Sequence, residues 1–211
     1  GALEVWFWSM QDADRERVPD DPWVQYLTGN NDGYAKAALE SEFTRLRDKV
    51  ERMRDDDSTI DTRLSDDSLP MNPALTEQLT QLTMGGLPTG RRCHTMHCRL
   101  RYFDPVEGRA GLPTDVGALV EGMTDDSVTV SLVNTSPVNE RTVVLQGGGY
   151  AEHSMGRVSV EGGSSFEVDA SYGADRTAFA LRLAPSAGCR LQIQQKRYAH
   201  RPTLAFPWDR R

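Results

Sequence analysis

The hydrophobic period of the chain changes once, and the change falls at Gly85-Gly86. Before it, apolar residues recur at three- and four-residue steps, the spacing of one helix face. After it they alternate with polar ones, the spacing of a half-buried strand. One such switch predicts an α+β protein, with a helical segment over 1–86 followed by an antiparallel β-sandwich over 87–211.

In the helical half, Ala35 to Arg54 gives the clearest pattern. Ala35, Ala38, Leu39, Phe43, Leu46, Val50 and Met53 fall on one stripe, and Lys36, Glu40, Arg45, Asp48, Lys49 and Arg52 lie opposite. Asn72-Pro73 predicts the start of another helix, since proline is pre-set for a first helical position. Leu75, Leu79 and Leu82 form its stripe, and Gly85-Gly86 closes it. Ser58 to Met71 has no periodicity and reads as a linker. Residues 2–11 carry Leu3, Val5, Trp6, Phe7, Trp8 and Met10, which predicts a helix buried against other helices. The chain starts inside that apolar run with neither Met nor a basic stretch, so we expect it to be the C-terminal part of a longer protein.

In the second half, Val128 to Val133 and Arg141 to Gln146 predict two strands paired in one sheet across the turn-forming segment Asn134 to Glu140. Arg91 to Phe103 predicts a strand with Met96, Cys98, Leu100 and Tyr102 on one side and Thr95, His97, Arg99 and Arg101 on the other. Thr114 to Met123 leans towards a short helix capped by Thr114. The alternative is a strand pairing across Thr124 to Ser127. Val158-Ser159-Val160, Ser165 to Val168, Ala178 to Leu183 and Cys189 to Gln194 complete the strands. The apolar tail, Arg201 to Trp208, is expected to lie back over the core, against the helices.

The net charge of −7 over 211 residues argues against a nucleic-acid partner, which calls for a basic face. No apolar run approaches the roughly 18 residues of a membrane span. Three cysteines give no disulfide framework, which leaves the compartment open. The chain has no nucleophile elbow, no P-loop and no dinucleotide fingerprint, and no helix start follows Gly147-Gly148-Gly149. No cofactor is predicted.

Two polar clusters are candidate ligand-binding sites. Trp23, Asn30, Asn31, Asp32 and Tyr34 gather amides, a carboxylate and aromatic rings around a turn. They suit a carbohydrate or similar polar small molecule; equally, the segment is a helix-entry loop with Asp32 near the cap. Tyr150, Glu152 and His153 end a strand and could supply a general acid and base, or could be satisfied polar groups. A third cluster, Cys93-His94-Thr95-Met96-His97-Cys98, holds four zinc-ligand types. In a strand, residues four apart lie about 13 Å apart, too far to share one ion, so no metal is predicted there. No residue carries a signature for nucleophilic catalysis.

Helices ending at Gly86, the strand end Val130-Ser131-Leu132-Val133-Asn134 and the turn Leu183-Ala184-Pro185-Ser186-Ala187-Gly188 resemble the rear part of bacterial carbohydrate-active lyases and hydrolases. In that architecture an α/α-toroid precedes a β-sandwich. The resemblance implies a sandwich that braces a helical barrel, with catalysis mainly upstream and the missing N-terminal part of its own chain as partner. The Trp23 to Tyr34 loop would then edge the site. The alternative is a self-contained, non-catalytic ligand-binding or interaction module.

Overall fold

The computed structural model describes residues 1–59, 61–62, 71–88, 95–172 and 176–210. Its helices are α1 (Ala2–Ser9), α2 (Asp12–Arg15), α3 (Pro22–Leu27), α4 (Tyr34–Asp55) and α5 (Glu77–Met84). Strands follow as β1 (Gly86–Leu87), β2 (His97–Cys98), β3 (Leu100–Asp104), β4 (Arg109–Ala110), β5 (Val116–Met123) and β6 (Ser127–Asn134). The last are β7 (Arg141–Gly147), β8 (Ser154–Val160), β9 (Ser165–Glu167), β10 (Ala178–Leu183) and β11 (Gly188–Lys196). The protein is therefore α+β, helices first and an antiparallel sandwich after. No described helix is long and apolar enough to cross a membrane.

Two sheets face each other, one in the order β10-β7-β3-β4 and one in the order β5-β6-β11-β8-β9, while β1 pairs with β2 alone. Alternation builds the core. Leu100 and Tyr102, Val143 and Leu145, and Phe179 and Leu183 point inward from the first sheet. They meet Val128, Val130 and Leu132, Leu191 and Ile193, and Met155 and Val158 from the second. Trp6, Phe7, Trp23, Val24 and Leu27 join the same cluster, so the short helices close the core rather than forming one of their own.

Specific contacts fix that closure. Asp21 caps α3, accepting from the Trp23 and Val24 amides at 3.0 and 3.1 Å. Arg197, just past β11, donates to the Phe7, Trp8 and Ser9 carbonyls at 3.3, 2.9 and 3.2 Å. The last carbonyls of a helix lack internal partners, and a guanidinium there satisfies them and opposes the helix dipole.

Several expectations need correction. Thr114 to Met123 is not a helix, because Val116–Met123 is strand β5, paired with β6 across the Thr124–Ser127 turn. A bulge between Val120 and Gly122 breaks its alternation. The strands β6 and β7 do not pair, since β6 lies between β5 and β11 and β7 between β10 and β3. The connection between them crosses from one sheet to the other, fastened by the fully buried Asn134. Its side-chain amide donates to the Asn139 carbonyl at 2.8 Å and its oxygen accepts from the Ser136 amide at 3.0 Å.

Asn72-Pro73 does not open α5, which begins at Glu77, but Gly85 closes it as expected in a left-handed conformation (φ 57°). The strand predicted from Arg91 is broken at Arg99 into β2 and β3; residues 91–94 lie outside the described residues. The tail returns over the outer face of the four-stranded sheet rather than the helices, with Phe206 and Trp208 edge-on to Phe103 at 5.6 and 6.0 Å.

The helix α4 buries less than its stripe suggests. Its 22 residues span about 33 Å, whereas α5 has 8 residues and meets only its first half. There Tyr34 donates to Gln81 Oε1 at 3.0 Å, the Gln78 amide donates to Glu42 at 3.4 Å, and Arg45 bonds Glu77 at 3.0 Å. Ala38 and Glu42 are buried, while Phe43 and Met53 are 58% and 50% exposed.

Candidate functional site

The first predicted cluster does not assemble. Trp23 is 1% exposed and stacks on Phe7 and against Trp6 in the core, facing away from the loop. The Asn31 side chain donates to the Pro22 carbonyl at 3.2 Å, and Tyr34 serves the α4–α5 contact. Asp32 is exposed, with Gly33 rather than Asp32 at the N-cap of α4. Only Asn30 borders an open groove, of about 550 Å³, between α2 and α3 with Gln25 and Thr28 beside it. The Asn30 amide donates to Thr28 Oγ1 at 3.1 Å, which orients its carbonyl oxygen.

The second cluster does assemble, and it is built by the glycine turn. Gly147 ends β7, Gly148 takes φ 83° and Ala151 takes φ 61°. Two left-handed residues so close together fold the chain back on itself before β8. The Glu152 carboxylate lies over Gly148 and accepts the Tyr150 amide at 2.7 Å, while the Glu152 carbonyl accepts the Ala199 amide at 2.8 Å. The Tyr150 hydroxyl accepts the Met96 amide at 3.3 Å, and Arg101 donates to the Gly149 carbonyl at 2.8 Å.

His153 Nδ1 accepts the Tyr198 amide at 3.1 Å, so a neutral imidazole carries its proton on Nε2. Nε2 lies 4.0 Å from Glu152 Oε1, beyond hydrogen-bond range. The Tyr198 ring meets His153 edge-on at 4.9 Å and stacks on Trp8 at 5.4 Å; Trp8 in turn meets His97 at 4.5 Å. An aromatic row thus runs from the buried imidazole out to the surface, joining α1, β2 and the chain after β11. Sequence alone had no signal for it, because its members come from four distant segments.

Chemically, this cluster is held rather than poised. Glu152 and His153 are 6% and 2% exposed, so neither reaches a dissolved substrate. Burial, with a smaller contribution from the nearby Arg99 charge, depresses the His153 pKa to about 3. Burial raises the Cys98 thiol far above its ordinary range, with the Glu152 charge adding to it, so the thiol is unreactive near neutrality. Among the described residues, no three His, Cys, Asp or Glu side chains converge to hold a metal ion. Cys93 and His94 of the predicted zinc-like cluster lie outside the described residues.

The depressed imidazole has a measurable consequence. Above pH 6.5 His153 is neutral whether folded or unfolded. Below it, the unfolded chain takes up a proton that the folded chain refuses, so stability falls as pH falls towards the folded value. The slope is about 1.4 kcal/mol per pH unit, or roughly 2 kcal/mol lost at pH 5. Urea unfolding at pH 7 and pH 5 should show that loss, and His153→Gln should remove most of the difference. An unchanged difference in the variant would assign the pH dependence to other groups.

No protein-family model, curated protein or solved structure matches this chain.

Proposed function

We propose that the chain is a non-catalytic bracing module of a helical-barrel protein that acts on a carbohydrate or similar polar substrate. The observation that carries this reading is the apolar stripe of α4, which leaves Phe43 and Met53 at least half exposed. Side chains of that size left outside a finished core mark a surface that packs against something else. The sheets are closed by their own core, and the buried Glu152–His153 cluster orders a turn and leaves no group free for acid–base work. The alternative reading, a self-contained ligand-binding module, rests on the groove beside Asn30.

Hydrogen–deuterium exchange separates the two. Amides of α4 should exchange more slowly in the full gene product than in the isolated 211-residue chain. Equal rates, or a gene product no longer than this chain, would rule out the bracing role. In the isolated chain Phe43→Glu should shift stability by no more than about 0.5 kcal/mol, because the ring is more than half exposed. A loss of 2 kcal/mol or more in urea unfolding would show that Phe43 is already packed.

A further inference from the structure

The two main sheets have four edges, and they are not protected alike. The edge β5 is covered by α5 and α3, β4 has 2 residues and β9 has 3. The edge β10 has 6, and among the described residues β7 alone pairs with it. Its sequence, AFALRL, has no proline and no bulge, two of the usual devices that discourage a further strand.

Hydrogen bonding shows which groups are open. The Gly147 amide donates to the Thr177 carbonyl at 2.8 Å. In an antiparallel ladder bonded pairs alternate, so Phe179 and Leu181 bond Leu145 and Val143. The other side of β7 gives the same parity, because the Gly148 amide donates to the Arg99 carbonyl at 2.9 Å, which turns Val144 and Gln146 towards β3. The backbone N–H and C=O groups of Ala180 and Arg182 therefore point to the open side. The Arg182 side chain does not block it: Nε and Nη2 both donate to Glu140, at 3.0 and 2.6 Å.

A groove of about 490 Å³ begins at Ala180. Phe166 and Tyr172 give it an aromatic wall, Glu167 and Asp169 an anionic rim, and among the described residues no lysine or arginine lines it. Arg157 approaches Glu167 only to 3.8 Å, with both side chains exposed, a pairing worth little. An apolar stem ending in a cation fits such a groove, since aromatic faces and carboxylates both attract the charge.

We propose that the open edge of β10 binds an extended peptide segment of a partner protein as an added antiparallel strand, with a lysine or arginine of that segment seated in the groove. Main-chain bonds to Ala180 and Arg182 supply the pairing, and the groove supplies the choice of side chain.

The test uses a capped pentapeptide of alternating threonine and valine with a central lysine, and a second with norleucine in its place. Amide exchange followed by NMR should show the Ala180 and Arg182 amides slowed by the lysine peptide. Glu167→Gln with Asp169→Asn should weaken that peptide about five- to tenfold and leave the norleucine peptide unchanged. Ala180→Pro should abolish binding of both, because it removes an open-edge donor and leaves the β7 ladder intact. Unchanged exchange of both amides at millimolar lysine peptide overturns the proposal. So does peptide-free protein in which these amides are already protected and light scattering gives the mass of two chains, since a second copy would then occupy the edge.

Discussion

Replacing Gly148 with alanine is expected to destabilise the fold by about 4 kcal/mol, at the far end of what a single substitution does. Two effects add. At φ 83° an L-residue is strained by roughly 1–2 kcal/mol. A Cβ would also lie 2.6 Å from Glu152 Oε1, inside the carboxyl group that closes the turn. That carboxylate cannot simply move away, because it is buried and accepts the Tyr150 amide. Leaving that amide without a partner costs about 1–3 kcal/mol more. Gly29 is the control: it has φ 77° but nothing within 4 Å of its Cβ position, so Gly29→Ala should cost only about 1 kcal/mol. Urea midpoints for both variants at a common m-value decide the matter. Equal losses would show that the Glu152 side chain yields at little cost, and the turn would then not be a rigid element.

The fold class was legible because it rests on period alone. Ala178 to Leu183 coincides with β10, Cys189 to Gln194 lies within β11, and the switch at Gly85 holds because glycine takes the left-handed position that ends α5. Partnership was not legible. Alternation in Val128 to Val133 says that a strand is half buried, not which strand lies beside it, so nearness along the chain joins β6 and β7 into one pair when they belong to two sheets. The strand β5 is obscured by Gly117 and Gly122, which weaken its pattern, and by its bulge.

The surroundings of the candidate site residues were hidden for a related reason. A polar or aromatic side chain in a loop looks available until its partner is known, and the partners of Tyr34 lie 44 and 47 residues away. Nearness in sequence is enough to group Glu152 with His153. Their burial depends on Tyr198 and the rest of the returning chain after β11, and a local reading cannot supply that. The α4 stripe overstates burial because a helix pattern gives the apolar side but not the length of its neighbour.

Arg99 shows the same blindness at its most consequential, since alternation places it on the polar side of a strand and the structure leaves it 1% exposed. Arg99→Met is expected to cost about 3 kcal/mol. The guanidinium donates to Gln195 Oε1 at 2.9 Å, to the Thr124 carbonyl at 2.6 Å and to the Ser127 carbonyl at 3.0 Å. Gln195 returns a bond to the Arg99 carbonyl at 3.0 Å. One side chain thus ties the β5–β6 turn to β11 at the break between β2 and β3.

Burial and the nearby Arg197 charge act against the charged form, while Tyr198, Asp125 and Asp126 act for it. Buried charges are often replaceable by apolar groups of similar volume without loss. The outcome for methionine therefore turns on the acceptors left behind. The Gln195 amide oxygen and the Thr124 carbonyl would lose their donor, at about 1–1.5 kcal/mol each, while the Ser127 carbonyl keeps the Thr124 amide at 2.9 Å. Arg99→Lys should fall between, at about 2 kcal/mol, because an ammonium can reach some of the three acceptors but lacks the planar fork that serves all of them. Thermal and urea unfolding of both variants gives the ranking. A methionine variant as stable as the parent would mean that the network merely offsets the desolvation of its own charge. A loss larger in methionine than in lysine would mean that the donors, rather than the packed volume, hold the turn to β11.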